Sequence, residues 1–106
     1  MSRVGNKSFY GNKKWTDKRE KILKRDGYEC QNCRRYYKTK EARVVHHIYF
    51  FEDYSELGLQ NWNLVSLCNE CHNKMHNRVT DEATKLSKEY QSKRKVEFNN
   101  YIKNKK

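Results

Sequence analysis

Four cysteines in two identical pairs constrain this 106-residue chain more than any other feature. The pairs are Cys30-x-x-Cys33 and Cys68-x-x-Cys71, with 34 residues between them. Two thiolates spaced by two residues can hold one tetrahedral ion from a tight turn, and a second pair completes a four-sulfur zinc site. A redox pair or unrelated buried thiols are alternatives, but two copies without a thioredoxin-like βαβ pattern favour zinc. Four sulfurs leave no open position for a substrate, so the predicted zinc is structural.

The composition indicates why such a metal site is needed. Apolar residues and charged residues each make up 35% of the chain, so a domain of this length has a small hydrophobic core. The 24 lysine and arginine residues outnumber the 13 aspartate and glutamate residues, which gives a formal net charge of +11. This excess predicts a polyanionic partner, and nucleic acid before membrane, because no basic helix shows a clean apolar face.

The sequence shows neither an apolar signal-peptide region at its N-terminus nor a run long enough to span a bilayer. We therefore expect a cytoplasmic protein without membrane association. In a reducing cytoplasm disulfides do not persist, which again favours metal binding by the cysteines.

The pattern of apolar residues, caps and turns predicts a small α+β protein in three parts. Residues 1–14 are predicted to be a flexible basic arm, residues 15–80 a zinc-stabilised domain, and residues 81–106 a basic C-terminal helix and tail. Helices are predicted over residues 16–26, with Thr16 as N-cap and Gly27 just beyond the C-cap, over residues 69–77, and from residues 80–82 onward. Strands are predicted over residues 41–49 and 64–67, with a loop over residues 50–62 between them.

All four histidines lie beside or between these features. His46 and His47 are adjacent in a strand-like run, where neighbouring side chains point to opposite faces. His72 and His76 are four residues apart on a predicted helix and share a face, which suits two nitrogens that bind one metal ion. A finger-like zinc site made of these two histidines and the second cysteine pair is an alternative, but it leaves the first pair without partners. The histidines therefore predict a second metal site.

The order of these motifs resembles the HNH endonuclease family, specifically its small phage-encoded members with a four-cysteine zinc site. The resemblance rests on Trp15 and on residues 24–33 (KRDGYECQNC), 45–48 (VHHI) and 63–72 (NLVSLCNECH). It spans residues 15–76 and implies a ββα-metal core that a structural zinc stabilises and that N- and C-terminal helices flank. One departure is that many members carry a proline shortly after the histidine pair, whereas this chain contains none.

The resemblance also implies a catalytic site for metal-dependent hydrolysis of DNA phosphodiester bonds. His47 would be the general base, and His46, His72 and His76 would hold a catalytic divalent ion, either Mg²⁺, Mn²⁺, Ni²⁺ or Zn²⁺. Asn63 would fix the loop that carries the base. Products would have 5′-phosphate and 3′-hydroxyl ends. Because both neighbouring histidines would serve one phosphate, we expect the strand to end at this point.

The expected substrate is double-stranded DNA, contacted mainly through its phosphates. The candidate phosphate-binding cations are Lys13, Lys14, Lys18, Arg19, Arg43, Lys74, Arg78, Lys93, Arg94 and Lys95. Phage members of the family imply terminase subunits as possible partners, and one site per chain implies a monomer or a transient dimer. The alternative is a non-catalytic zinc-stabilised DNA-binding module, which would need no base beside a metal ligand. A structural adaptor without nucleic-acid affinity conflicts with the net charge.

Overall fold

Two short antiparallel strands organise the chain in the computed structural model, which describes residues 9–77, 79–80 and 82–104. The strands are β1 (Val44–His47) and β2 (Leu64–Leu67), and the helices are α1 (Lys13–Arg25), α2 (Gln31–Arg35), α3 (Asn69–Asn73), α4 (Lys85–Lys93) and α5 (Lys95–Asn104). Two 3-10 turns, Ser55–Leu57 and Asn61–Asn63, lie between the strands. This confirms the predicted small α+β architecture. Among the described residues, no helix has the length and apolar character needed to cross a membrane.

Helix α1 begins earlier than the sequence predicted. Asn12 is the N-cap, and its side chain accepts a hydrogen bond from a backbone N–H of the first turn. The predicted cap, Thr16, was wrong: this residue lies inside the helix and its hydroxyl donates to the Asn12 carbonyl at 3.1 Å. Asparagine is the stronger cap of the two, and the earlier start places Trp15 on the buried face. Gly27 does follow the helix, with a φ of +66°.

The other regular elements are shorter than predicted because their flanking residues pair elsewhere. The strand predicted over residues 41–49 is reduced to β1, since Glu41 forms an isolated bridge with Glu29. The helix predicted over residues 69–77 ends at Asn73, and His76 bridges to Ala83. The following helix begins only after residue 84.

The sheet separates two apolar clusters. In the antiparallel register His46 lies opposite Val65 and His47 lies opposite Leu64. Since side chains alternate between faces, these two pairs lie on different sides of the sheet. The α1 side contains Trp15, Ile22, Leu23, Ala42, Val45 and Leu64, and the cysteine side contains Cys30, Ile48, Tyr49, Leu57, Val65, Leu67, Cys68, Cys71, Met75 and Tyr90. Helix α5 adds to the cysteine side, where the ring of Phe98 stacks on Tyr49 at 4.1 Å.

An ion pair between the buried Asp26 carboxylate and the exposed Arg25 side chain joins the end of α1 to β2. The Asp26 carboxylate accepts a hydrogen bond from the Ser66 backbone N–H at 3.0 Å and from Arg25 Nε at 2.8 Å. The same guanidinium donates to the carbonyls of Leu64 at 2.8 Å and Asn61 at 2.9 Å. These bonds fix the position of α1 against the strand that pairs with the histidine-bearing β1.

We expect Asp26→Ala to lower the free energy of unfolding by about 2 kcal/mol, because it leaves the buried N–H of Ser66 without its acceptor and removes the ion pair with Arg25. Asp17→Ala is the matched control, since Asp17 is exposed and its ion pair in the described part of the chain is with Lys13 one turn away. Its effect should stay within about 0.5 kcal/mol. Urea denaturation of the metal-loaded proteins measures both values, and equal effects would contradict the structural role of Asp26.

Candidate metal centre and active site

The four cysteine sulfurs meet between α2 and α3. Cys30 and Cys68 are the N-caps of these helices, and their sulfurs accept from the backbone N–H groups of Cys33 and Cys71. All four sulfurs lie within 4.8 Å of one another, with Cys33 3.9 Å from Cys68 and 3.7 Å from Cys71. A tetrahedral zinc with bonds of about 2.3 Å separates its sulfurs by about 3.8 Å. The cluster therefore fits one tetrahedral metal ion.

The electrostatics of this cluster also call for a cation. Burial raises the pKa of Cys68, but N–H donation from Cys71 and contacts with the other thiols bring it down to about 7. Burial and the surrounding sulfurs raise the pKa of Cys33 instead. The thiolate of Cys68 thus forms readily while Cys33 resists ionisation, and a bound metal would offset the repulsion among four thiolates.

Two buried side chains that the sequence analysis missed support this cluster. Asn32 donates from Nδ2 to the Cys71 sulfur at 3.3 Å, and its Oδ1 accepts from the Tyr90 hydroxyl at 3.2 Å. This chain of contacts holds one sulfur in place and favours its anionic form, because the amide donates to it. The only sequence signal was the position of Asn32 inside the first cysteine pair.

His46 lies on the cysteine side of the sheet, beside the two histidines of the α3 region. Its ring centre is 5.4 Å from that of His72 and 6.5 Å from that of His76. His46 is 3% exposed, and its Nε2 is buried without a hydrogen-bond partner among the described residues. Such an orphaned nitrogen fits a metal ligand. The three histidines do not meet the 4.8 Å spacing that the cysteines meet, so binding one ion would need them to move closer.

The surroundings of His46 and His72 favour neutral imidazoles. Burial, followed by the charges of His72 and His76, lowers the pKa of His46 well below its ordinary value. Burial likewise lowers the pKa of His72. A neutral imidazole is the form that binds metal. The ring of Phe50 stacks on His76 at 4.1 Å and sets the orientation of that side chain.

His47 is the last residue of β1 and lies on the α1 side of the sheet. It is 6% exposed, and its ring stacks on Trp15 at 5.0 Å. Its Nε2 lies 3.1 Å from the Gly58 carbonyl oxygen, which can only accept, so this nitrogen carries the proton. The proton-accepting nitrogen is therefore Nδ1, which lies 3.4 Å from the Tyr10 hydroxyl. Burial lowers the pKa of His47, although the Gly58 bond partly opposes this shift.

Gly58 has a structural reason to be glycine. A Cβ atom there would lie 2.8 Å from the ring of Phe51 and 3.0 Å from the ring of Phe9. The absence of a side chain lets both rings pack beside the carbonyl that orients His47. Sequence reasoning missed this residue, because its constraint comes from rings that are distant in the chain.

Asn63 is fully buried and ties the two ends of the loop between the strands. Its Oδ1 accepts from the Tyr49 backbone N–H at 2.7 Å, and its Nδ2 donates to the carbonyls of Tyr49 at 3.1 Å and Leu57 at 3.2 Å. Leu57 immediately precedes Gly58. The amide therefore holds the backbone whose next carbonyl orients His47.

Comparison with known proteins decides the family. The sequence profile of the HNH endonuclease family matches residues 30–78. A crystal structure of the HNH endonuclease of the deep-sea thermophilic bacteriophage GVE2 with manganese ion is similar to this chain, with 35% sequence identity and a TM-score of 0.63. The match covers 65% of this chain and 75% of that chain. This chain belongs to the HNH endonuclease family. No curated protein matches it.

Membership confirms the predicted fold class and shows that the chain is a nuclease. HNH nucleases act on DNA, so membership also supports the expected class of substrate. In this HNH endonuclease the four cysteines form a site for a structural metal, as the sequence predicted.

The predicted phosphate-binding cations of this HNH endonuclease are spread over several elements. Five of them have polar or ionic partners: Lys13 pairs with Asp17, Lys18 with Asn61, Arg19 with the Arg43 carbonyl, Arg43 with Glu41, and Arg94 with Glu97. Lys93 lies over the Tyr90 ring, Lys14, Lys74 and Lys95 are exposed, and Arg78 lies outside the described residues. Arg25, Arg35, Lys93 and Arg94 line one cavity of about 430 Å³, which brings cations from both halves of the chain together.

We expect the purified protein to retain one tightly bound metal ion per chain after dialysis, and we expect that ion to be zinc. Cys71→Ser should lose the ion and unfold, because zinc-binding energies of about 10–16 kcal/mol are comparable to the stability of a whole small domain. Elemental analysis and circular dichroism measure the two effects.

Asn69→Ala is the matched control for this variant, since Asn69 lies between the second pair of cysteines but is exposed. It should keep both the ion and the fold. A wild-type chain that stays folded and metal-free in a strong chelator would contradict the prediction.

Proposed function

We propose that this HNH endonuclease hydrolyses double-stranded DNA with His47 as general base and with a divalent ion held by His46, His72 and His76. The observation that carries the proposal is the different environment of the two adjacent histidines. His47 keeps a neutral, proton-accepting Nδ1. His46 presents a buried nitrogen without a partner beside two further imidazoles. One residue can thus accept a proton while its neighbour binds metal.

The side chains of the proposed site act on the attacking water and on the base. Nδ1 of His47 accepts a proton as the water oxygen attacks phosphorus, and the Nε2–H bond to Gly58 stabilises the imidazolium that forms. Asn63 keeps that carbonyl in place through its bond to Leu57. The bound ion would supply positive charge for the phosphate and for the leaving oxygen. Hydrolysis would leave 5′-phosphate and 3′-hydroxyl ends.

The proposed ligands favour borderline transition metals. Imidazole nitrogen suits Ni²⁺ and Zn²⁺ better than Mg²⁺, which prefers oxygen ligands. The structure of the GVE2 enzyme contains manganese, which supports Mn²⁺ as a further candidate here. We therefore expect Mn²⁺, Ni²⁺ and Zn²⁺ to support cleavage better than Mg²⁺, and we assign zinc to the four-cysteine site.

The biological setting that we propose is phage DNA metabolism in the bacterial cytoplasm. Similarity to a phage enzyme supports this origin, and terminase subunits are the proposed partners. One catalytic site per chain would cut one strand at each encounter. Cleavage of both strands would need a transient dimer or two successive encounters by a monomer.

We expect His47→Ala to lower the cleavage rate about 10²–10⁴-fold, because the general base is lost. Zinc content, fold and DNA affinity should be kept, because the cysteines and the other histidines are unchanged. Thermal stability should fall, since the variant also removes a buried ring that stacks on Trp15. His46→Ala and His72→Ala should lose cleavage through weaker metal binding, so a higher divalent-ion concentration should partly rescue them but not His47→Ala. His76→Ala should show an intermediate loss. Supercoiled-plasmid cleavage across a series of ion concentrations measures all four.

A parent protein that cuts plasmid alongside a His47→Ala protein that cuts equally well would refute the assignment of the base. A parent that binds DNA but cuts it with none of the tested ions would favour the non-catalytic DNA-binding module instead. The ion series therefore distinguishes a nuclease from a DNA-binding module. It also distinguishes the role of His47 as base from that of His46 as metal ligand.

We expect Lys74→Ala to reduce the slope of log affinity against log salt concentration by about 0.9, equally for unrelated duplex sequences, because one phosphate contact is lost. Lys74 is exposed, follows α3 and has no ion pair among the described residues. The matched control is Lys40→Ala, since Lys40 pairs with Glu70 and is outside the predicted cations. An unchanged slope in the Lys74 variant would remove this residue from the interface.

A further inference from the structure

We propose that Tyr10 is a further catalytic residue, whose hydroxyl carries the proton from the attacking water to Nδ1 of His47. The inference rests on the proposed role of His47 as general base and deepens it. Neither the motif pattern nor the family resemblance includes Tyr10, because it lies before the first matched residue.

The first argument is the enclosure of the base. His47 is 6% exposed, and its Nε2 is already bonded to a backbone carbonyl. The rings of Phe9, Trp15 and Phe51 lie 5.9, 5.0 and 5.4 Å from its own ring centre. Among residues 9–77, 79–80 and 82–104, the polar group next to Nδ1 is the Tyr10 hydroxyl, and Tyr10 is 43% exposed. The phenol thus lies between a buried base and the solvent from which the nucleophile must come.

The second argument is that the fold holds Tyr10 in this position. Its neighbour Phe9 accepts a hydrogen bond at its carbonyl from the N–H of Asn12, the residue that caps α1. The Phe9 ring packs 4.3 Å from Phe51, on the spot that Gly58 leaves open. The Tyr10 ring itself contacts Trp15 edge-on at 5.4 Å. The start of α1 and the aromatic cluster therefore both fix this turn, and they hold the Tyr10 hydroxyl in its position beside His47.

The third argument is the direction of the hydrogen bond. Since Nε2 carries the imidazole proton, Nδ1 can only accept, so the Tyr10 hydroxyl donates to it. A phenol oxygen that donates in this way still has lone pairs that can accept from water. Water can therefore reach the base through Tyr10 without displacing it.

The step that follows conserves every atom and charge. The water oxygen forms a bond to phosphorus while its proton passes to the Tyr10 oxygen and the Tyr10 proton passes to Nδ1 of His47. The bond between phosphorus and O3′ breaks, its electron pair stays on O3′, and this oxygen takes a proton from solvent. His47 then returns its proton to solvent through the same hydroxyl, which restores both side chains. The 3.4 Å contact would shorten when DNA is bound, as catalytic hydrogen bonds often do.

Tyr10→Phe tests the relay, because it removes the hydroxyl and leaves the ring contacts. We expect plasmid cleavage to slow about 10²-fold, with zinc content, thermal stability and DNA affinity unchanged. Added divalent ions should not restore the rate. Tyr28→Phe is the matched control, since Tyr28 is 44% exposed and also donates to a side chain, that of Glu20. Its rate should equal that of the parent.

The double variant with His47→Ala locates the defect. If both residues act in one proton transfer, the double variant should cleave no more slowly than His47→Ala alone. Provided that His47→Ala is inactive, a Tyr10→Phe protein at the parental rate overturns the relay alone. A Tyr10→Phe protein that cleaves faster than the parent also overturns the relay, because it shows that the hydroxyl hinders the access of water to His47. A fully active His47→Ala protein overturns the proposed base itself.

A measurement without cleavage tests the contact directly. In the zinc-loaded protein without a second ion, we expect the ¹⁵N resonance of His47 Nδ1 to shift in Tyr10→Phe and to stay in place in Tyr28→Phe. An unshifted resonance in Tyr10→Phe overturns the hydrogen bond and the relay with it.

Discussion

The contact among four cysteine sulfurs is the constraint on which the rest of this small protein depends. Helices α2 and α3 have five residues each, far fewer than an isolated helix needs in water. Each begins at a cysteine whose sulfur caps it, so a metal ion held by the four sulfurs would fix both helices and the strand end between them. His72 directly follows Cys71 in the chain. A proposed ligand of the catalytic ion therefore takes its position from the structural metal site, and the stability of one site sets the geometry of the other.

The sequence predicted those parts of the site that depend on local spacing. Two cysteine pairs carry their geometry within a few residues, so the metal cluster could be predicted from them, and the order of the motifs indicated the family. The shared helix face predicted for His72 and His76 was wrong, because the helix ends at Asn73 and His76 lies beyond it. The N-cap of α1 could not be predicted from local spacing, because Asn12 and Thr16 are both acceptable caps and the burial of Trp15 decides between them. The predicted ends of the strand and of the helix were also wrong, because isolated bridges such as that of Glu41 pair residues that are distant in the chain.

The residues that surround the proposed base were beyond sequence reasoning for a related reason. Gly58 looks like an ordinary loop glycine until the rings of Phe9 and Phe51 are placed beside it. Tyr10 falls in a segment whose composition predicts only a flexible arm. The contact between Tyr10 and His47 joins residues that are 37 positions apart in the chain, and the Phe9 ring beside Gly58 also comes from the N-terminal segment. A single sequence has no periodic or spacing signal for such contacts.

His46 and His47 point to opposite faces of the sheet. One imidazole nitrogen can therefore bind metal while the other accepts a proton, although both roles need an imidazole lone pair. On the cysteine side, His46 lies beside the imidazoles of His72, which is on α3, and of His76, which follows that helix. On the α1 side, His47 is surrounded by aromatic rings and one carbonyl, which keep it away from the ligand cluster.

The peptide bond between these residues is the shortest possible link between the two halves, with Cα atoms about 3.8 Å apart. Since β1 ends at His47, a phosphate placed beyond the strand end can approach both side chains without entering either apolar cluster. The strand end is therefore where we place the scissile phosphate. The sheet keeps the proposed base from becoming a fourth ligand while holding it within reach of the same substrate.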